Sequence, residues 1–341
     1  MRVPKTILVI NVSRIGDTLL ATPAIRALAE HWPDAELTVL AHPGRQELLL
    51  NLPFIDHVGD IEKNRARWLG HFGGKQYDLA VVFGFDVPLV KYALRVAHSV
   101  CAFRQQDEAV NRQLVFAAEP YVPNSGHIAK LQLGLVQTLG VDTDNLALAY
   151  RVGDDEAEWA RETLSRDVGN VSRPLIGLQI ASFPTKAYRD WPLENFAEIC
   201  ERARLRWPSV HFLIFGGSAE AQRTEALHQR FKDCSTLYAG RLTLRQTGAL
   251  MQRLDLFLGV DTGPTHIMGT LGRPMVVLYH PAHSSWKLAP PARRGFVAID
   301  HPQAASVDQE TASMAGIGVD AVWEAMRALA ENEASFAGNT L

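Results

Sequence analysis

A chain of 341 residues is too long for one ordinary hydrophobic core, so two domains are expected. With 47% hydrophobic and 21% charged residues it reads as globular, and a formal net charge of −3 argues against a nucleic-acid partner. Cys101, Cys200 and Cys234 are far apart and show neither zinc nor disulfide spacing, which fits a reducing compartment. Met1 to Lys5 run directly into a strand-like segment without a signal-peptide core, and no apolar run reaches membrane-spanning length. These features predict a soluble cytoplasmic protein.

Thr6–Val12 is a continuous β-branched run, the mark of a strand buried on both faces of a parallel sheet. A turn at Ser13–Asp17 and a helix bearing Leu19, Leu20, Ile25, Leu28 and Ala29 follow. Glu36–Leu40 is the next strand and Pro43–Leu52 the next helix, with further strands at Asp78–Phe83 and Ser99–Phe103. From Gly153 to Ser172 the chain turns polar, with a helix around Ala157–Leu164, and the domain boundary is placed there. The alternation restarts with the strand Pro174–Ile180, a helix from Leu193 to Arg206, the strand Val210–Phe215 and a helix near Ala219. Next come the strand Ser235–Tyr238, the helix Leu244–Arg253, the strand Leu254–Gly259, a helix from Pro264 and the strand Met275–Tyr279. A last helix spans roughly Val307–Glu331, and the tail after Asn332 reads as loose. This βαβ alternation predicts an α/β protein: two Rossmann-like, doubly wound parallel-sheet domains, 1–165 and 173–331, with an interdomain cleft at the C-terminal strand ends.

The stretch that organises the chain is Val260-Asp261-Thr262-Gly263-Pro264-Thr265-His266. Asp261 or Thr262 can cap the helix and Pro264 suits its first position. Free N–H groups at Gly263–Thr265 favour a phosphate, Asp261 offers a carboxylate to sugar hydroxyls, and His266 lies one turn in. The same pattern also occurs as a plain strand–turn–helix junction. Other loops fall at predicted strand ends. Ser13–Thr18 brings Asp17 to a helix start beside Gly16; it serves either chemistry or the helix dipole. Ala181–Pro192 carries Ser182, Thr185, Lys186 and Arg189, a set suited to a departing diphosphate or to a solvated loop anchored by Trp191. Glu220, after Gly216-Gly217, can accept from a sugar diol or complement its helix; Leu242 can lie on a base or simply pack. His280, His283 and His301 lack metal spacing and read as loop histidines, and the basic excess between Lys63 and Arg112 reads as a face toward an acidic acceptor or an ordinary surface.

Asn11-Val12-Ser13-Arg14-Ile15-Gly16-Asp17-Thr18-Leu19-Leu20-Ala21-Thr22-Pro23-Ala24-Ile25 resembles the opening of the bacterial lipopolysaccharide heptosyltransferases, glycosyltransferase family nine. Asp261–His266 is similar to their donor-binding signature, and Arg189-Asp190-Trp191-Pro192, Gly216-Gly217…Glu220 and Gly240–Leu244 follow in family order. The resemblance implies a GT-B fold and metal-independent, inverting transfer of heptose from ADP-heptose. The acceptor it implies is the inner core of lipopolysaccharide, at the cytoplasmic face of the inner membrane; since no segment spans or anchors, membrane association is expected to be peripheral at most. It implies an N-terminal acceptor domain with Asp17 as general base and a C-terminal donor domain. There Asp261, Thr262, Gly263 and His266 would hold heptose and diphosphate, Glu220 the ribose and Leu242 the adenine. Ser182, Thr185, Lys186 and Arg189 would surround the phosphates. Two positions depart from the family pattern: Arg189 stands where many members have Lys, and His280-Pro281-Ala282-His283 replaces the usual Gly-Pro-Thr. The alternatives are a nucleotide-sugar epimerase of the same architecture, a transferase with another donor or acceptor, or a sugar-nucleotide binding protein without turnover.

Overall fold

A computed structural model describes residues 3–122, 125–169, 173–291, 294–303 and 312–331. The chain divides into two compact units, residues 1–151 and 152–341. The first contains β1 (Thr6–Asn11), β2 (Glu36–Ala41), β3 (His57–Asp60), β4 (Tyr77–Val82), β5 (Ala97–Phe103) and β6 (Phe116–Ala118). Their order is β3-β2-β1-β4-β5-β6, with every pairing parallel. Alternation along β1 explains why the run is apolar throughout. Ile7 and Val9 enter one core with Val39, Leu79 and Val81, while Leu8 and Ile10 enter the other with Ala80 and Val82. Truncating Ile7, Leu8, Ile10 or Leu79, all fully buried, to Ala would cost about 2–5 kcal/mol.

The second unit repeats the plan with β7 (Leu175–Gln179), β8 (His211–Phe215), β9 (Ser235–Leu237), β10 (Leu256–Val260), β11 (Met275–Tyr279) and β12 (Phe296–Asp300). Its order is β12-β11-β10-β7-β8-β9, again all parallel. Leu256, Leu258 and Val260 of β10 face one core and Phe257 the other. In each sheet the strand order reverses once, between β1 and β4 and between β7 and β10. Loops leaving the C-terminal ends of those strands stand at the usual ligand position in such sheets.

Several elements differ from the sequence reading. The helix Asp154–Val168 belongs with the second unit, so residues 152–165 leave the 1–165 range. Arg245 holds it through Nε and Nη2 to Glu156 at 2.7 and 2.6 Å, and Tyr238 donates to Asp167 at 2.9 Å. The first helix is two, Ile15–Leu20 and Thr22–His31, parted at Ala21 because Pro23 has no N–H to continue the ladder. Pro43–Leu52 holds only a 3₁₀ turn, Gln46–Leu49, closed off by Asn51 at φ 66°. β3, β6 and β12 were not anticipated; they lie on the outer side of each sheet, where β3 has no apolar run, β6 is three residues long and the short apolar run of β12 is only partly buried. Nor were the helices Val87–Val96 and Ile128–Gln137. The last helix is Val319–Ala330, starting after Gly318; residues 307–311 of its expected span, and the tail after Asn332, lie outside the described residues.

Candidate active site

The loop after β10 begins with Asp261, 3% exposed, and leads into the helix Gly263–Thr270. Thr262 occupies the N-cap position, yet neither predicted cap is made. Its hydroxyl lies 3.2 Å from Thr265 Oγ1, Thr265 Oγ1 donates to Val260 O at 2.7 Å, and no side chain caps the helix. Pro264 sits within the first two helical positions, where its missing N–H is harmless. The first-turn N–H groups are thus left without a side-chain acceptor, the arrangement that favours an anion.

Asp261 instead turns toward charge. Its Oδ2 accepts from Arg189 Nη1 at 3.2 Å, and its Oδ1 lies 3.4 Å from His266 Nε2. Burial raises the Asp261 carboxyl, but the hydrogen bond and charge of His266 and the charge of Arg189 outweigh it and hold it below the ordinary value. Arg189 ends the 3₁₀ turn Pro184–Arg189 that follows β7, so the pair spans the point where strand order reverses. The loop is fixed at its far end by Trp191, fully buried, whose Nε1 donates to Ile317 O at 2.9 Å. Asp190 braces it from within, accepting from Ser182 N at 2.8 Å and Ser182 Oγ at 2.7 Å. Ser182 therefore shapes the loop, while Thr185 is exposed on it.

The sequence reading took His283 for a loop histidine, in a stretch that departs from the family pattern, and gave it no role in the site. Its Nε2 lies 3.0 Å from Arg189 Nη2 and 3.0 Å from Tyr188 Oη. A guanidinium can only donate, so Nε2 is the acceptor and the ring is neutral, a tautomer set by the hydrogen-bond network. Burial, then the Arg189 charge, push the imidazole down to about 4. Lys186 Nζ lies 3.5 Å from Tyr188 Oη and over its ring. A continuous polar chain thus runs from Lys186 through Tyr188, His283 and Arg189 to Asp261 and His266. The signal available beforehand was the position of His283 in the loop after β11, the strand paired with β10. His280 is buried and structural: its Nε2 bonds Ala312 O and its Nδ1 accepts from Ala282 N. Among the described residues no group of three His, Cys, Asp or Glu side chains is placed to hold a metal ion.

Four buried polar atoms around this chain have no partner among the described residues: Arg189 Nε, His266 Nδ1, Gln179 Oε1 and Tyr279 Oη. Each such group costs roughly 1–3 kcal/mol, so their gathering at one sheet edge marks a place where a polar ligand supplies what the protein withholds.

Glu220 and Leu242 come to the same edge, after β8 and β9, but with local tasks. Glu220 Oε2 accepts from Gly217 N at 2.5 Å and closes its own turn; burial raises its carboxyl, the Gly217 bond opposes this, and Asp190 adds to the rise. Leu242 is half-buried and packs on the core that holds Tyr238 and Phe257. The two loops interlock: Gly240 N donates to Gly216 O at 2.9 Å, and at φ +70° a Cβ on Gly240 would lie 3.0 Å from Ser218 Cα. In the first unit Asp17 is half-buried in the first turn of Ile15–Leu20. Ser13 Oγ lies 3.0 Å from Thr18 Oγ1, which donates to Arg14 O at 2.9 Å, setting the turn that presents Asp17. Of the basic excess, Lys63, Arg65 and Lys91 pair with Asp86, Asp60 and Asp107, whereas Arg67 and Lys75 make no ion pair among the described residues.

Residues 73–314 match the family model described as glycosyltransferase family 9 (heptosyltransferase). The chain belongs to glycosyltransferase family 9. This glycosyltransferase is similar to lipopolysaccharide core heptosyltransferase OpsX of Haemophilus influenzae, 23% identical over 295 residues, 84% of this chain and 82% of that one. Its structure is similar to a glycosyltransferase family 9 protein from Veillonella parvula (TM-score 0.82, 20% identity, 96% and 98% of the two chains). It is also similar to ADP-heptose lipopolysaccharide heptosyltransferase II of Escherichia coli (TM-score 0.75, 20% identity, 95% and 98%). These likenesses establish the GT-B fold of the glycosyltransferase.

Proposed function

We propose that this family 9 glycosyltransferase moves heptose from ADP-heptose to the inner core of lipopolysaccharide, by an inverting, metal-independent reaction. The observation that carries the reading is the polar chain Lys186–Tyr188–His283–Arg189–Asp261–His266, partly buried at its start and buried at Asp261 and His266, beside an uncapped helix start, with polar atoms left open for a ligand. In this reading Arg189, Lys186, Thr185 and the N–H groups at Thr262 and Gly263 hold the diphosphate, with Ser182 keeping their loop in shape. Asp261 and His266 bind heptose hydroxyls, Glu220 the ribose, and Leu242 lies against adenine. The names of the relatives support the donor and acceptor assigned here.

The first unit takes the acceptor and the second the donor. The acceptor oxygen forms a bond to the anomeric carbon as the bond from that carbon to the β-phosphate oxygen breaks, its electron pair leaving with ADP. Asp17 receives the acceptor proton, a contribution of ~10²–10⁴-fold. Fixed positive charge and helix N–H groups stabilise the charge developing on ADP. The enzyme works in the cytoplasm, in peripheral contact with the inner membrane.

Calorimetric titration with ADP, UDP, GDP and ADP-heptose tests this, on wild type and Asp261→Ala. Selective ADP binding, with the ADP-heptose affinity falling in the variant, is expected. Preference for UDP or GDP would overturn the donor assignment.

A further inference from the structure

One surface loop of the first unit presents its largest apolar side chains to solvent. Trp68 is 82% and Phe72 94% exposed, in the segment that follows the helix Lys63–Ala66. The loop is nonetheless built in place. Arg95, from the helix Val87–Val96, donates Nε to Leu69 O at 2.9 Å and Nη2 to Ala66 O at 2.5 Å. Gly70, at φ +74°, sits so close to that helix that a Cβ would lie 2.7 Å from Val96 Cγ1. The backbone is therefore pinned inward at residues 66–70 while the two rings are turned out. Nearby cations divide into two groups. Lys63 and Arg65 are spent on Asp86 and Asp60 at 2.7 and 3.2 Å. Arg67 and Lys75 are exposed and make no ion pair among the described residues.

Two solvated aromatic rings with unpaired cations on either side of them form an interfacial pattern. Trp favours the headgroup level of a bilayer, and each nearby Lys or Arg gains from anionic lipid. We propose that loop 67–75 docks this protein on an anionic phospholipid bilayer. Trp68 and Phe72 enter the interface, and Arg67 and Lys75 meet headgroup phosphates. The inference deepens the reading of a membrane-borne acceptor and rests on it for biological sense, but its test needs no acceptor.

The full chain is co-sedimented with phosphatidylethanolamine–phosphatidylglycerol vesicles and with phosphatidylcholine vesicles, all free of lipopolysaccharide. Binding to the anionic vesicles is expected, weakening as salt rises. Trp68→Ser/Phe72→Ser should weaken it at least about tenfold. Arg67→Gln/Lys75→Gln should weaken it about 25-fold at low salt, roughly fivefold per cation. Both variants should melt like wild type, bind ADP equally and transfer normally to a lipid-free core oligosaccharide, an assay that reads the catalytic assignment separately. No binding to anionic vesicles, equal binding by well-folded variants, or retention only when lipopolysaccharide or another protein is added would overturn the proposal.

Discussion

Replacing Arg189 separates charge from geometry in the proposed donor site. Its guanidinium reaches Asp261 Oδ2 at 3.2 Å and His283 Nε2 at 3.0 Å at once, with side-chain exposures of 14% for Arg189 and 4% for Asp261. Arg189→Met leaves the Asp261 carboxylate buried, with His266 as its remaining ion-pair partner among the described residues. Breaking a buried pair from one side costs about 3–5 kcal/mol. Arg189→Lys keeps the charge, but a single ammonium cannot serve both acceptors with the geometry of a planar fork. The loss of one hydrogen bond from a charged donor is worth about 1.5–3 kcal/mol, or about 10–100-fold in ADP affinity if that bond positions the phosphate ligand. Urea unfolding followed by intrinsic fluorescence gives the stability change, and calorimetry gives the ADP affinity. An Arg189→Lys enzyme matching wild type in both, or an Arg189→Met enzyme within about 1 kcal/mol of it, would refute the reasoning.

Asp17→Asn should lower kcat by ~10²–10⁴-fold in a coupled ADP-release assay while the ADP Kd stays unchanged; a change in ADP binding alone would remove Asp17 from the role of base. His283 titrates at about 4 in the folded chain against 6.5 unfolded, so as pH falls from 7 toward 4 the unfolded state takes up the proton first and native stability drops. His283→Gln abolishes that titration, and its stability should fall less across this window, by on the order of 1–2 kcal/mol after solvent screening; parallel urea-midpoint curves for the two proteins would contradict it. Lys186→Gln should weaken ADP binding about tenfold or less with stability within about 0.5 kcal/mol, since among the described residues its ammonium makes hydrogen-bond and ring contacts only with the Tyr188 side chain; an effect on stability as large as that of Arg189→Met would reverse the ranking of the two cations.

The inner strands were legible because a parallel strand buried on both faces leaves no polar residue to break the run, as in Thr6–Asn11 and Met275–Tyr279. β3 was not, because an outer strand half open to solvent has no such run to show; β12 does carry a short apolar run, Phe296–Ile299, of a length that periodicity alone does not assign to a strand. The loops around the candidate site could be located from the strands they follow, which is why Arg189, Asp261 and His266 were found and do come together. Partners within loops were not legible. Nothing in a serine's type announces that its hydroxyl closes on Asp190, and nothing in a lone histidine announces that it receives Arg189. The paired cations between Lys63 and Arg112 show the same limit: charge is visible in the chain, but its neutralisation depends on partners such as Asp86 and Asp107 brought in by folding.

Transfer itself is the most direct test. Purified protein would be incubated with ADP-heptose and a lipid-free, heptose-deficient core oligosaccharide, with the products read by mass spectrometry. The account predicts ADP release matched one-to-one by acceptor carrying one added heptose, abolished to background by Asp17→Asn. Turnover only with a UDP- or GDP-sugar, or ADP release without a glycosylated acceptor, would contradict it.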